Sequence, residues 1–479
     1  MIFGPSWFDL SFVILNSYCQ SVTALLQSVS ISSIIPIMSP HATELPTESE
    51  LITNGMIHSI EQTAPSVANT SVVADLTNGL SNGATPNDNP KPALAELDAS
   101  LLKITYTTSP RPVPKPSSPE VLSQTTCTDH MILCEWTASH GWHAPELKPY
   151  GPLSLMPTTS VLHYATTCFE GLKLYRGSDG ALRLFRPALN AARMVQSAAR
   201  IALPSFAPAQ LLALVAALCA ADGPKWLPAT QPGAFLYVRP TLIGSDAALG
   251  VRRPAAATLF VVASLFPALD ARPCGMRLLA SGGDAVRAWP GGTGYAKVGA
   301  NYGPTLCAGG EARARGFDQV LWLFGERGAV TEAGASNFFV VWRGRDGRVE
   351  LVTAALDGRL ILDGVTRRSV IEIAKERLSG EGGFGVEGVT VCEKEFTVDD
   401  IVEAQKEGRL LEAFICGTAY FLVGVSEIEY RGESIKPPVG EDGYGNYARL
   451  IKGWLKGIMY GKEKHEWGYV IKEQPAPNA

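Results

Sequence analysis

Basic residues are missing from the start of this 479-residue chain. Residues 1–90 hold no Lys or Arg and seven acids: Asp9, Glu44, Glu48, Glu50, Glu61, Asp75 and Asp88. A mitochondrial presequence is Arg-rich and poor in acids, and a secretory signal opens on a basic segment, so neither is read here. A membrane-spanning helix needs about 18 or more consecutive apolar residues; no such run occurs, and the stretch at 10–15 is far shorter. The expectation is a cytoplasmic protein with no membrane partner. A true start at Met38 or Met56 would make mitochondrial import the alternative. Cysteine pairing motifs are lacking too. Nine cysteines form no CxxC and seven histidines no HExxH, which points to reduced, mostly buried thiols and no metal site. Outside the leader, charge of one sign is also lacking. The remaining 389 residues hold all 41 basic and 39 acidic side chains, a net charge of +2, so no nucleic-acid partner is expected.

A hydrophobic fraction of 46% with 18% charged residues describes an ordinary globular body. Residues 40–125 stand apart, being rich in Ser, Thr, Asn, Pro and Ala and ending in PRPVPKPSSP (110–119). Without sustained periodicity they bury too little to offset a chain entropy of ~1–2 kcal/mol per residue. The division expected is a disordered leader over 1–125, a smaller N-terminal α/β domain over 126–268 and a larger C-terminal domain over 269–479. Periodicity predicts strands at 182–185, 235–238, 258–263, 319–324, 337–342, 349–353 and 411–415. It predicts helices at 190–201, 208–221, 306–315, 365–378, 397–407 and 446–459. The mixture is α+β in two lobes, with a break in LFPALDARPCG (265–275), where Pro and Gly interrupt the pattern.

The chemistry concentrates at GGTGYAKVGANYGPT (291–305). The spacing is not GxxxxGK[ST], so a nucleotide-binding loop is disfavoured. One lysine, Lys297, stands among small residues that would let a flat ligand approach its amine; a solvated loop lysine is the alternative. VTEAGASN (330–337) sets Glu332 between apolar strands, where an ionised carboxylate is costly unless paired. GVTRRS (364–369) opens a helix whose free N–H groups suit an anion, and GTA (417–419) follows a buried strand. An amine, a buried acid and an anion cradle together suit pyridoxal phosphate (PLP): the lysine takes the aldehyde, the acid the pyridine nitrogen and the cradle the phosphate.

The ordered blocks HYATTCFEGLKLYRG (163–177), RLFRPALNAARM (183–194), YVRPTLIGSDAALGV (237–251), VRAWPGGTGYAKVGANYGPT (286–305), TEAGASN (331–337), LDGVTRRS (362–369), GTA (417–419) and HEWGYVI (465–471) closely resemble the branched-chain amino-acid aminotransferases. These are class IV, fold-type IV PLP enzymes. The resemblance spans about residues 126–471. It implies an α+β two-domain fold of the D-amino-acid-aminotransferase-like kind. The activity implied is transfer of the amino group of Leu, Ile or Val to 2-oxoglutarate, giving 2-oxo acids and glutamate. It implies that Lys297 binds the PLP aldehyde covalently and later moves the α-proton. Glu332 faces the ring nitrogen, Tyr302 the ring 3-oxygen and Leu362 the ring face. Arg193, the amides of Val365 and Thr366, and Thr418 form the phosphate cup. The amides of Thr418 and Ala419 match the α-carboxylate site, while Phe169, Tyr237 and Tyr164 match the apolar side-chain pocket. Tyr164 is expected from the partner subunit of a homodimer. Arg239 matches the group that receives the second carboxylate of glutamate or 2-oxoglutarate.

Several positions depart from the family pattern. Ile415 and Cys416 replace a Gly-Ser pair, Ala335 a frequent Thr, and Asp363 a Pro, while Tyr420 and Val423 stand where mammalian members carry CxxC. Ile415, Cys416 and Ala335 motivate a second expectation, a pathway-specific aminotransferase for an unusual aliphatic or aromatic amino acid.

Overall fold

A computed structural model describes residues 93–116, 118–270, 273–380 and 383–477. Of the leader expected over 1–125, residues 1–92 lie outside the described residues. Strands fall into two sheets, and membership changes between Leu265 and Met276. The first sheet runs Lys103–Ile104, Glu146–Pro149, His130–Thr137, Ala256–Leu265, Phe235–Gly244, Leu172–Arg176, Leu182–Phe185, Gly468–Ile471. Gly141–Trp142 pairs beside His130–Thr137, and Thr167–Phe169 beside Phe235–Gly244.

The antiparallel pair Phe235–Gly244 and Ala256–Leu265 forms the spine of this sheet. Side chains alternate between faces along a strand. Leu236, Val238 and Leu242 therefore enter the core with Leu211, Leu214, Val215 and Leu218 of the helix Pro208–Trp226. Tyr237, Arg239 and Thr241 share the other face, where Arg239 and Thr241 are half-buried. The sequence thus sets Tyr237 and Arg239 side by side through period-2 geometry.

The second sheet runs Ala329–Ala333, Gln319–Phe324, Met276–Ala280, Phe421–Tyr430, Leu410–Gly417, Ser336–Arg343, Val349–Thr353, Val389–Glu393, with Glu433–Ile435 beside Phe421–Tyr430. Ala329–Ala333 also pairs with Ser336–Arg343, which closes six of these strands into a ring. Ser336–Arg343 (SNFFVVWR) is buried along nearly its whole length, as expected of a strand covered on both faces. Its Phe339 stacks on its register partner Phe414 with ring centroids 5.0 Å apart. The helices Val365–Arg377 and Asn446–Met459 bury Val370, Ile373, Ile451 and Leu455 in one core with those rings.

Two findings correct the sequence reading. First, the disorder expected up to residue 125 does not extend over the described residues from 93 onward. Lys103–Ile104 pairs with Glu146–Pro149 in parallel, and Leu97 is buried in the first core. The Thr107 N–H donates to His130 Nε2 at 2.9 Å and the Arg111 N–H to Asp129 Oδ1 at 2.8 Å. Backbone pairing and burial of Leu97 offset the chain entropy here, and local composition does not report such long-range partners. Second, the chain's last strand, Gly468–Ile471, returns to the first sheet beside Leu182–Phe185.

Candidate active site

Lys297 lies in a loop held from both sides. Its N–H donates to Ser197 Oγ at 2.8 Å, and its carbonyl accepts the Phe169 N–H at 3.1 Å. Asn301 locks the loop from inside: its Nδ2 donates to the carbonyls of Ala296 and Thr293 at 2.8 and 2.9 Å. Gly299 permits the close approach, since a Cβ there would lie 2.5 Å from Thr167 Cγ2. The amine donates to Tyr302 Oη at 3.2 Å and sits 5.0 Å from the centre of the Phe169 ring. Tyr302 and Phe169 are themselves in contact, with centroids 5.1 Å apart. A solvated loop lysine does not describe this environment.

Glu332 and Asn337 are register partners across the strands that close the ring. Glu332 is 2% exposed. Its Oε1 accepts the Leu362 N–H at 3.2 Å and Asn337 Nδ2 at 3.3 Å. Its Oε2 lies 2.5 Å from Arg287 Nη1, but the angles make no hydrogen bond, and both atoms are buried without one among the described residues. Burial pushes the carboxyl above its usual range; Arg287, the Leu362 N–H, Lys297 and Arg193 oppose this without cancelling it. An oxygen that meets only the Arg287 cation and accepts no hydrogen bond among the described residues can still receive a ligand N–H.

Arg193 belongs to the buried face of the helix Pro187–Arg200, with Asn190 and Ser197 at helical spacing on the same side. Its Nε and Nη2 grip Glu170 at 2.7 and 2.8 Å, and Nη1 donates to the Asp363 carbonyl at 2.8 Å. Burial pulls the guanidinium down, but the Glu170 carboxylate outweighs it and holds the group above its usual range. The grip leaves N–H groups on Nη1 and Nη2 for a further acceptor. Close by in sequence, the helix Val365–Arg377 starts at Gly364 with no side chain capping it. The first N–H groups of a helix have no partner within it, so those of Val365 and Thr366 are available to an anion.

Phe169, Tyr237 and Arg239 form one cluster. The Arg239 guanidinium carbon lies 4.7 Å from the Phe169 ring centre and 5.1 Å from that of Tyr237. Its buried Nε has no hydrogen-bond partner among the described residues. Tyr237 stacks on Phe266 at 4.6 Å. Thr418 and Ala419 occupy the half-buried turn after Leu410–Gly417. Tyr164 ends the short helix Ser160–Tyr164, is 39% exposed, and donates its hydroxyl to the Leu249 carbonyl. Ile415 is wholly buried with Phe338, Val423 and Val425, so its bulk goes to core packing, while Ala335 is exposed.

Glu170, Asn190, Ser197, Arg287, Asn337 and Phe266 were not singled out from the sequence. Glu170, Asn190, Arg287 and Asn337 lie inside the family-like sequence blocks, one to ten residues from Phe169, Arg193, Lys297 and Glu332, and that proximity is the signal the sequence offers.

These groups fit pyridoxal phosphate. The amine suits an aldehyde, Glu332 Oε2 a protonated ring nitrogen, the Tyr302 hydroxyl a phenolic oxygen, and the uncapped helix with Arg193 a phosphate. Among the described residues no helix is long and apolar enough to cross a membrane.

Comparison with known proteins agrees. The family described as amino-transferase class IV matches residues 167–428. The cytosolic branched-chain-amino-acid aminotransferase of Saccharomyces cerevisiae is 44% identical, covering 79% of this chain and 99% of its own. The mitochondrial branched-chain-amino-acid aminotransferase of Schizosaccharomyces pombe is 41% identical, covering 78% of this chain and 84% of its own. Among solved structures, a T.th. branched-chain amino acid aminotransferase complexed with N-(5'-phosphopyridoxyl)-L-glutamate superposes with a TM-score of 0.52. It is 26% identical, covering 71% of this chain and 98% of that one.

Proposed function

Because the chain belongs to the class IV aminotransferases, and within them to the branched-chain-amino-acid aminotransferases, we propose the following division of labour among its residues. The overall reaction moves the amino group of Leu, Ile or Val to 2-oxoglutarate. PLP, when bound, supplies the aldehyde that receives the amino group and a ring that draws electrons from the substrate's α-carbon. Lys297 would hold the aldehyde covalently. The Lys297 Nζ would also take the proton from the substrate's α-carbon and return it. Glu332 keeps a carboxylate against the ring nitrogen so that the nitrogen stays protonated. Asn337 and the Leu362 N–H hold that carboxylate in place through Oε1. The carrying observation is this pairing of a fixed amine with a buried acid whose Oε2 is ion-paired to Arg287 and accepts no hydrogen bond among the described residues.

Tyr302 would hold the cofactor's 3-oxygen, and Leu362 would supply an apolar contact to its ring. Arg193, the amides of Val365 and Thr366, and Thr418 take the phosphate. The amides of Thr418 and Ala419 take the substrate's α-carboxylate. Phe169 and Tyr237 surround an aliphatic side chain. Arg239, whose guanidinium lies against both rings and whose Nε has no hydrogen-bond partner among the described residues, receives the far carboxylate of glutamate, which a leucine side chain stops short of reaching. One pocket can then serve both half-reactions. Tyr164, exposed on its own chain, completes the pocket of a second copy in a homodimer. The acid-only segment over 1–90 supports residence in the cytoplasm.

The test is a half-reaction. Purified protein given Leu without 2-oxoglutarate should convert its cofactor absorbance to that of the amine form and release one equivalent of 2-oxo acid. Absence of conversion with Leu, Ile and Val alike overturns the assignment.

A further inference from the structure

Two of the family-like blocks meet at a residue that the roles above leave unused. Arg186 of RLFRPALNAARM caps the helix Pro187–Arg200 with φ 46° and ψ 45°, a left-handed conformation. Few residues other than Gly adopt it, and it persists where the surroundings over-determine it. Here they do. The Arg186 N–H donates to the carbonyl of Trp467 in HEWGYVI at 2.9 Å, and the guanidinium carbon lies 4.2 Å from the centre of the Trp467 ring. Nη1 donates to Ser369 Oγ at 3.1 Å and pairs with Glu372 Oε2 at 2.7 Å.

Those contacts join the two halves of the phosphate cup. Arg193 stands on a helix packed into the first core, seven residues or about two turns after Arg186. The amides of Val365 and Thr366 open a different helix, packed into the core of Phe339 and Phe414. Ser369, wholly buried one turn into that second helix, passes the bond on: its Oγ donates to the Val365 carbonyl at 2.8 Å. That carbonyl shares a planar trans peptide with the Thr366 N–H, so the two point in opposite directions. A guanidinium drawing on the carbonyl through a hydroxyl therefore polarises and fixes the N–H at the other end.

We propose that Arg186 is a positioning residue of the phosphate cup. Through Ser369 it orients the Thr366 N–H, and as the cap of the other helix it keeps Arg193 in register with that donor, without touching the phosphate. This rests on the reading of Arg193 and the helix start as the phosphate site. PLP and pyridoxal separate the role from a plain structural tie. Both carry the aldehyde, the ring nitrogen and the 3-oxygen; pyridoxal lacks the phosphate.

Dissociation constants of both are measured by equilibrium dialysis on the full chain stripped of cofactor. Arg186→Gly removes the side chain, and Gly takes the left-handed conformation readily, so the fold should hold. The variant should bind PLP about tenfold more weakly or worse, the scale of a lost hydrogen bond to a charged group, and pyridoxal within about twofold of wild type. Ser369→Ala, which cuts the relay and leaves the Glu372 pair, should lower the preference for PLP over pyridoxal in the same direction. Equal weakening of both ligands by Arg186→Gly, or of neither, overturns the proposal, as does an unchanged preference in Ser369→Ala. Val365→Pro deletes one cup N–H at the first helical position, where Pro is tolerated, and separates the layers. If its preference for PLP matches wild type, the helix start is not the phosphate site and the underlying reading fails. If it loses that preference while Arg186→Gly keeps it, the reading stands and the role of Arg186 alone is overturned.

Discussion

Arg193 is held by Glu170 through two hydrogen bonds, Nε to Oε1 at 2.7 Å and Nη2 to Oε2 at 2.8 Å, with the carboxylate fully buried. Glu170 is occupied on all sides, since Asn190 Nδ2 also donates to its Oε2 at 2.9 Å. A cation aimed at a phosphate must be rigid before the phosphate arrives, and this carboxylate supplies the rigidity.

Glu170→Ala therefore strands a buried guanidinium. Breaking a buried pair from one side costs about 3–5 kcal/mol. The urea midpoint of the apoprotein should fall accordingly, and PLP affinity should drop with it. A variant with wild-type midpoint and wild-type PLP affinity would show that Arg193 is positioned by something else.

Gly364→Ala tests the other side of the cofactor site. A Cβ at Gly364 would lie 2.1 Å from Asn337 Oδ1, and Asn337 holds both Glu332 Oε1 and the Leu362 carbonyl. The clash should displace Asn337 and weaken cofactor retention by about tenfold, the worth of one buried hydrogen bond. The PLP dissociation constant, from equilibrium dialysis, reads this directly; an unchanged value would mean that the Asn337 side chain yields without consequence.

Glu332→Gln keeps the shape of the side chain and removes its charge. The charge acts chiefly in the transition state, so kcat should fall by about a hundredfold or more while PLP binding changes much less. Comparable kcat values for variant and wild type would remove Glu332 from the chemistry.

Glu412 carries a pH dependence unrelated to the reaction. It accepts the N–H groups of Tyr447 and Ala448 at 3.0 and 2.7 Å, at the start of the helix Asn446–Met459. Burial nevertheless pushes its carboxyl up to about 7. The folded state thus binds this proton more tightly than the unfolded chain does. The stabilising contribution is complete below about pH 4.5 and disappears as pH rises through about 7, a change on the order of 3 kcal/mol. Glu412→Gln should flatten that part of the stability profile in urea unfolding measured at pH 5 and pH 8. A profile as steep as the wild type's would assign the slope to other groups.

Local patterns made much of the fold readable. The strands Leu182–Phe185 and Val349–Thr353 and the helix Asn446–Met459 end where the sequence places them, because turns or clear amphipathicity bound each one. His130–Thr137 gave no such signal: both faces are largely buried, and its His, Cys and Trp break any simple alternation. The place of Gly468–Ile471 beside Leu182–Phe185 depends on a pairing across nearly the whole body, which no local window contains. The site divides in the same way. Lys297 and Tyr302 are five residues apart and legible as a motif, whereas the partners of Arg193 and of Glu332 appear only once distant segments meet. The buried Leu97 makes the converse point: a Pro- and Ser-rich composition did not prevent docking onto the first core.

Reduction of the holoenzyme with borohydride followed by peptide mapping tests the central claim most directly. The prediction is a single pyridoxyl-modified residue, Lys297, with Lys297→Ala folded yet unmodified and inactive. Modification at another lysine, or none in protein that still turns over Leu, would contradict it.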